Sequence, residues 1–103
     1  MDSAGLCCDM MAMSGSERER YKELRVRLEK VIETRELENG YAFRWPSDMV
    51  SLVEVAEFVE KERKCCPFLD FEIAVERERG PVWLKMTGRE GVKAFLRAEF
   101  GVR

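Results

Sequence analysis

The sequence contains no histidine, and this absence excludes several kinds of functional site. Without an imidazole among its 103 residues, the chain has no histidine general base, no Ser-His-Asp triad and no zinc site that needs a histidine ligand. Long apolar runs are also lacking, because no segment approaches the roughly 20 apolar residues that a membrane-spanning helix needs. We therefore expect a protein without a membrane partner.

Neither sign of charge is in large excess. The 18 basic and 20 acidic side chains are interleaved and leave a net charge of −2, so no basic stripe is available to neutralise a phosphate backbone. We expect no nucleic-acid partner. The N-terminus has an acid at Asp2 and no apolar signal-peptide core, which favours a cytoplasmic protein. There the four cysteines are expected to be thiols, metal ligands or redox groups rather than structural disulfides.

The composition, 46% apolar and 37% charged, is typical of one globular domain, which we place at residues 17–103. Residues 1–16 lack periodicity and are expected to form a flexible tail. The tail holds five sulfur-containing side chains: Cys7, Cys8, Met10, Met11 and Met13. Soft ions such as Cu(I) or Hg(II) suit these ligands, whereas translation from one of the three methionines would remove most of the tail.

The first half of the domain predicts a helix and a hairpin. Helical spacing of apolar residues runs from Ser16 to about Glu33, with the stripe Tyr21, Leu24, Leu28 and Val31. Ser16 and Glu19 have the spacing of a capping box. Strands are expected at about 33–38 and 41–45. The intervening Asn39-Gly40 predicts a type I′ turn, which needs positive φ at both central residues.

The second half repeats this order. We expect Ser47 to cap a helix that ends near Lys64 and has the apolar stripe Met49, Leu52, Val53, Ala56, Val59 and Glu60. Period-two alternation predicts strands at about 69–76 and 82–87. Thr87 and Glu90 form a second candidate capping box before a final helix that carries Val92, Phe95, Leu96 and Glu99 and ends at Gly101.

The order α-ββ-α-ββ-α predicts an α+β two-layer sandwich, with helices on one face of a largely antiparallel four-stranded sheet. Tyr41, Phe43 and Trp45 alternate onto one face, and we interpret this row as the inner face, with stacking of a flat ligand as the alternative. The other face remains solvent-exposed or forms a homodimer surface, and it carries Ala42, Arg44, Ala74, Trp83 and Lys85. The strand order stays open.

Candidate chemistry is concentrated at the adjacent cysteines Cys65 and Cys66. A structural disulfide between them is not expected, because the eight-membered ring strains the intervening peptide, although a strained and easily reduced one could act as a switch. Pro67 favours an extended Cys66, so Cys65 could face the core while Cys66 points outward. Glu62 lies one helical turn before Cys65 and could supply an oxygen ligand or accept the thiol proton. Arg63 and Lys64 favour thiolate, although the helix C-terminus opposes them.

The stretch Glu62-Arg63-Lys64-Cys65-Cys66-Pro67-Phe68 resembles a signature, Glu-Arg-x-Cys-Cys-Pro-Phe, of a small uncharacterised bacterial protein family. Two further segments resemble that family: the Gly-Tyr-x-Phe strand at 40–43 and the Thr-Gly-x-x-Gly turn at 87–91. The resemblance covers about residues 36–97 and implies that Glu62, Arg63, Cys65 and Cys66 form the site. It implies no activity.

Three functional hypotheses follow. The first is binding of a soft or thiophilic metal ion, Hg(II), Cu(I) or Zn(II), by Cys65, Cys66 and Glu62, with Cys7 and Cys8 completing the site if the tail folds back. The second is a thiol-based redox sensor or thiol enzyme, which the absence of histidine and of a Cys-x-x-Cys motif disfavours. The third is a non-catalytic interaction protein in which the cysteines only pack. We expect no organic cofactor and favour a protein that is not an enzyme.

Overall fold

The computed structural model describes residues 9–101. Its elements are α1 (Gly15–Arg27), β1 (Glu33–Leu37), β2 (Gly40–Trp45), α2 (Leu52–Cys65), β3 (Asp70–Val75), β4 (Val82–Thr87) and α3 (Val92–Phe100), with a short 3-10 helix, Met10–Ala12, before α1. The predicted α+β fold with the order α-ββ-α-ββ-α is confirmed. None of the helices in this part of the chain is long and apolar enough to cross a membrane.

The four strands form one antiparallel sheet in the order β1-β2-β4-β3. The strand β4 therefore lies between β2 and its own hairpin partner β3, and α2 links the two strands that β4 separates. Gly40 faces Thr87 in the β2–β4 register. A Cβ atom at residue 40 would lie only 2.0 Å from the carbonyl oxygen of Met86, so this close approach of two strands requires glycine.

The core lies between the helices and one face of the sheet. The rings of Tyr41, Phe43 and Trp45 are buried there, which confirms that the aromatic row is the inner face. The ring of Phe43 lies 6.0 Å from that of Phe100 in α3, and Trp45 Nε1 donates a hydrogen bond to the carbonyl of Leu28 at 2.9 Å. Leu28, directly after α1, and Phe100 of α3 thus cover the same strand.

The helix α2 buries a different stripe from the one predicted. Its buried residues are Val55, Phe58, Glu62 and Cys65, at spacings of three, four and three residues. Met49, Leu52 and Val53 of the predicted stripe are instead exposed, so that prediction was wrong. The apolar residues of this segment occupy more than one side of the helix. A glutamate within the true stripe concealed the correct periodicity.

Each helix also begins at a different residue from the one predicted. Ser14 with Glu17, and Ser51 with Glu54, form complete capping boxes, in place of the predicted caps at Ser16 and Ser47. The final helix has no side-chain cap, because Gly91 occupies the N-cap with a φ of 98°. A positive φ of this kind favours glycine at the N-cap position. The predicted capping box of Thr87 and Glu90 therefore does not begin this helix.

The prediction of a type I′ turn with Asn39-Gly40 at its centre was also wrong. Leu37 pairs with Gly40, so Glu38 and Asn39 are the residues between the paired positions, and neither has a positive φ. The two non-glycine residues with positive φ in the described range are Glu78 and Arg79, in the β3–β4 turn. Paired positive φ values of this kind suit the right-handed twist of a hairpin.

Residues 9–16, which were expected to be flexible, pack against the domain. Met13 is only 2% exposed, and the backbone N–H of Asp9 donates to the carbonyl of Cys65 at 2.8 Å. Ser14 begins α1 within this segment. Residues 1–8 of the predicted tail lie outside the described residues. The first described residue, Asp9, is the one that is hydrogen-bonded to Cys65.

Candidate functional site

The C-terminal turn of α2 brings three candidate ligands together. One side-chain ligand atom from each of Glu62, Cys65 and Cys66 lies within 4.8 Å of the other two, and all three residues are buried. The helix positions Glu62 one turn before Cys65. Cys66 is the C-cap of α2, and its backbone N–H donates to the carbonyl of Glu62 at 2.8 Å. This hydrogen bond holds the second cysteine close to Glu62. Of the predicted metal ligands, the structure therefore brings Glu62, Cys65 and Cys66 together.

Glu62 is a fully buried carboxylate in a hydrogen-bonded chain. The hydroxyl of Tyr21 donates to Glu62 Oε1 at 2.6 Å, and Arg25 Nη1 donates to that hydroxyl at 3.0 Å. Arg25 also donates to the carbonyl of Glu99 at 2.9 Å. Burial raises the pKa of Glu62 above its ordinary value, and the hydrogen bond from Tyr21 and the charge of Arg25 only partly oppose this effect.

Cys65 is a buried free thiol. Its Sγ lies 3.5 Å from the carbonyl oxygen of Glu62 and 3.7 Å from Glu62 Oε2, so both acceptors are within reach of the S–H group. Burial, followed by the neighbouring carboxylate of Glu62, raises the pKa of the Cys65 thiol to about 12. The thiol is consequently protonated at neutral pH.

The two residues expected to favour thiolate lie elsewhere. Arg63 and Lys64 are exposed, and the ammonium of Lys64 forms an ion pair with Glu17 at the start of α1. The pKa of Cys65 moves upward, in the direction opposite to activation, because burial and the neighbouring Glu62 raise it. Lys64 instead joins α2 to α1.

Cys66 differs from expectation in two respects. Its side chain is buried, although an outward orientation was expected, and it is disulfide-bonded rather than a thiol. Cys65 is not its disulfide partner, since the two Sγ atoms are 3.9 Å apart and Cys65 is free. Cys7 and Cys8, the remaining candidate ligands, lie outside the described residues.

Sequence reasoning missed Tyr21 and Arg25 as members of the site. Tyr21 belonged to the predicted apolar stripe of α1, and its ring does stack on Phe58 at 5.8 Å. A tyrosine on a buried stripe, however, needs a partner for its hydroxyl group. Arg25 follows it by one helical turn. A buried tyrosine with an arginine one helical turn later was the pattern in the sequence that could have indicated a buried acid on another helix or strand.

The opposite face of the sheet carries a separate polar network. Arg44 bridges Glu33 and Glu76 at 3.3 Å each, and Trp83 Nε1 donates to Glu76 Oε2 at 2.6 Å. The guanidinium of Arg35 lies 4.7 Å from the Trp83 ring centroid. These contacts show a polar face of ion pairs around one tryptophan. The homodimer suggested for this face stays a prediction.

The fold and the site together define a small α+β protein with a buried cluster of two cysteines and one carboxylate. The chain matches no family model, no curated protein and no solved structure.

Proposed function

We propose that the reduced protein binds one thiophilic metal ion through Cys65, Cys66 and Glu62. The observation that carries this proposal is the mutual approach of their ligand atoms to within 4.8 Å at a fully buried position. Two thiolates and one carboxylate suit an ion that accepts two or three ligands at irregular angles. Zinc prefers four ligands in a tetrahedron, so Hg(II) and Cu(I) fit this set better.

Binding depends on the redox state of Cys66. A sulfur in a disulfide has no thiolate to offer, so the site is competent only after the Cys66 disulfide has been reduced. The raised pKa of Cys65 means that an incoming ion must displace a proton. Ions that form strong bonds to thiolate compete best for such a site. We infer a binding protein rather than an enzyme.

Native mass spectrometry of fully reduced protein, exposed separately to Hg(II), Cu(I) and Zn(II), tests the proposal. We expect one retained Hg(II) or Cu(I) ion, lost in Cys65→Ser and in Cys66→Ser. Glu62→Gln should weaken retention by about tenfold or more, because it removes the anionic ligand. The matched control is Glu60→Gln, which neutralises an exposed carboxylate on the same helix.

Circular dichroism on each variant separates loss of binding from loss of folding. A Cys7→Ser/Cys8→Ser double variant should keep the ion, because the three proposed ligands remain. Retention that survives in a folded Cys65→Ser/Cys66→Ser variant would overturn the proposal. Dependence on Cys7 and Cys8 alone would also contradict it and move the site to the N-terminal segment.

A redox switch is the second candidate function, and the disulfide at Cys66 favours it. Two-electron reduction by a dithiol would release the Cys66 thiol and its partner thiol, with the dithiol oxidised to a disulfide. Titration against dithiothreitol redox buffers, followed by mass spectrometry of alkylated thiols, measures this equilibrium. A switch without metal binding would show reversible reduction of Cys66 but no retained ion.

We also propose that the chain belongs to the bacterial family with the Glu-Arg-x-Cys-Cys-Pro-Phe signature and acts in the cytoplasm. The placement of Glu62, Cys65 and Cys66 in one cluster supports a shared role for that motif. A reducing compartment would keep Cys66 available as a ligand.

A further inference from the structure

A second concave site lies away from the cysteines, where the C-terminal ends of α1 and α3 meet β1 and β2. It is a cavity of about 780 Å³, and we call it the aromatic cavity. Its floor consists of buried rings from the sheet and from α2: Tyr41, Phe43, Trp45 and Phe58. Small-molecule sites commonly occupy about 300–1,000 Å³ and have this kind of apolar lining.

The polar atoms of the floor already have partners. Trp45 Nε1 donates to the carbonyl of Leu28 at 2.9 Å, and the hydroxyl of Tyr41 accepts from Arg97 Nη2 at 2.8 Å. What remains for a ligand is therefore ring surface rather than hydrogen-bonding groups. Phe100, half-buried at the cavity wall, lies 6.0 Å from Phe43 and extends this surface outward. The floor favours an aromatic or alkyl group.

The charged residues at the rim are mainly acidic. Three carboxylates and one guanidinium line the cavity: Glu29, Glu36, Glu99 and Arg25. Arg25 Nη1 lies 3.6 Å from Glu99 Oε1, and the guanidinium carbon of Arg25 lies 4.5 Å from the centroid of the Phe100 ring. The charge of Arg25 is therefore already paired within the protein. Glu36 pairs with Lys93. Glu29 is exposed and has no ion pair with any residue between 9 and 101.

We propose that the aromatic cavity binds a small organic cation that has an aromatic or alkyl body. The body packs against Phe43 and Phe100, and the ammonium group lies at the acidic rim beside Glu29. The carboxylate of Glu29 attracts the ammonium group by Coulombic attraction, and the aromatic rings bury the apolar body. This site uses none of the cysteines, so it does not depend on the metal-binding proposal.

Fluorescence of Trp45 provides a direct test. The chain has two tryptophans, and the Trp83→Phe variant leaves Trp45 as the sole one, on the floor of the cavity. Trp83 lies on the opposite sheet face and does not line the cavity. We expect benzyltrimethylammonium to change the fluorescence of this variant saturably. Neutral benzyl alcohol should bind at least about fivefold more weakly, and the anion phenylacetate more weakly still.

Charge variants then identify the rim residue. Glu29→Gln should weaken binding of the ammonium probe roughly two- to fivefold, and Glu29→Lys should weaken it about tenfold, as expected for a partly solvated charge pair. Glu90→Gln makes the same charge change at an exposed residue that does not line the cavity, and it should have no effect. Equal affinity for all three probes, equal effects of the Glu29 and Glu90 variants, or no saturable change would each overturn the proposal.

Discussion

Tyr21 and Glu62, which are 41 residues apart in the chain, share a hydrogen bond of 2.6 Å inside the core. The hydroxyl of Tyr21 is the donor, and it accepts in turn from Arg25. A carboxylate without such a donor would be costly to bury, because water no longer solvates it. This bond therefore joins α1 to α2 and stabilises the acid that we propose as a metal ligand.

Removing this hydroxyl should destabilise the fold. For Tyr21→Phe we expect the free energy of unfolding to fall by about 1–3 kcal/mol, because a buried carboxylate loses a hydrogen bond. Urea denaturation measures the change. Tyr41→Phe is the matched control, since its hydroxyl partner Arg97 is exposed and can turn to water, so a smaller loss is expected. Equal losses in the two variants would contradict the special role of Glu62.

The raised pKa of Glu62 predicts a pH dependence of stability. An unfolded glutamate loses its proton near pH 4.3, whereas folded Glu62 keeps its proton to a higher pH because burial disfavours the anion. The folded state then binds more protons just above about pH 4.3, so the unfolding free energy falls as the pH rises through that window.

The glutamine of the Glu62→Gln variant cannot lose a proton in this way, so the variant should lack this fall in the free energy of unfolding. Urea denaturation from about pH 4 to about pH 8 on wild type, Glu62→Gln and the control Glu60→Gln measures the difference. Glu17 and Glu54 have pKa values lowered to about 2, so their opposite contributions are lost as the pH falls below the window. A wild-type curve parallel to that of Glu62→Gln would exclude a raised pKa.

Cys65 should resist alkylation in the folded protein. Its thiol is fully buried, and its pKa is raised to about 12, so little thiolate is present at neutral pH. With iodoacetamide at about pH 8, we expect a rate at least about a hundredfold lower than that of an ordinary thiol with a pKa of about 8.5. Mass spectrometry of quenched samples measures the rate, and urea-unfolded protein is the reference. Fast labelling of folded Cys65 would favour a thiol enzyme.

The helix caps provide a test within one short segment. Ser14→Ala should lower the unfolding free energy by about 1 kcal/mol, because the Ser14 hydroxyl accepts from the backbone N–H of Glu17 at 3.2 Å. Ser16→Ala, at the residue that the sequence pattern favoured, should change it by less than about 0.5 kcal/mol. Thermal denaturation of the two variants compares their stabilities directly. A larger loss of stability in Ser16→Ala than in Ser14→Ala would favour Ser16 as the N-cap, as the sequence pattern predicted.

Local patterns in the sequence were sufficient for the order of the elements and for the inner face of β2. Alternation of Tyr41, Phe43 and Trp45 has the period of a strand, and any sheet covered on one side buries such a row. The grouping of Glu62 with Cys65 was equally local, because one helical turn separates the two residues. These features depend on neighbours within a few positions.

Burial, by contrast, depends on which element covers which. The buried face of α2 follows from packing of Phe58 against Tyr21 and Phe100, residues far away in the chain. Glu62 of the same helix lies buried under Tyr21, and burial raises the pKa values of Glu62 and Cys65, which a sequence pattern cannot supply. Strand order and the aromatic cavity likewise arise from contacts between distant segments. Periodicity specifies a direction for each side chain, and only the folded chain supplies the neighbour that meets it.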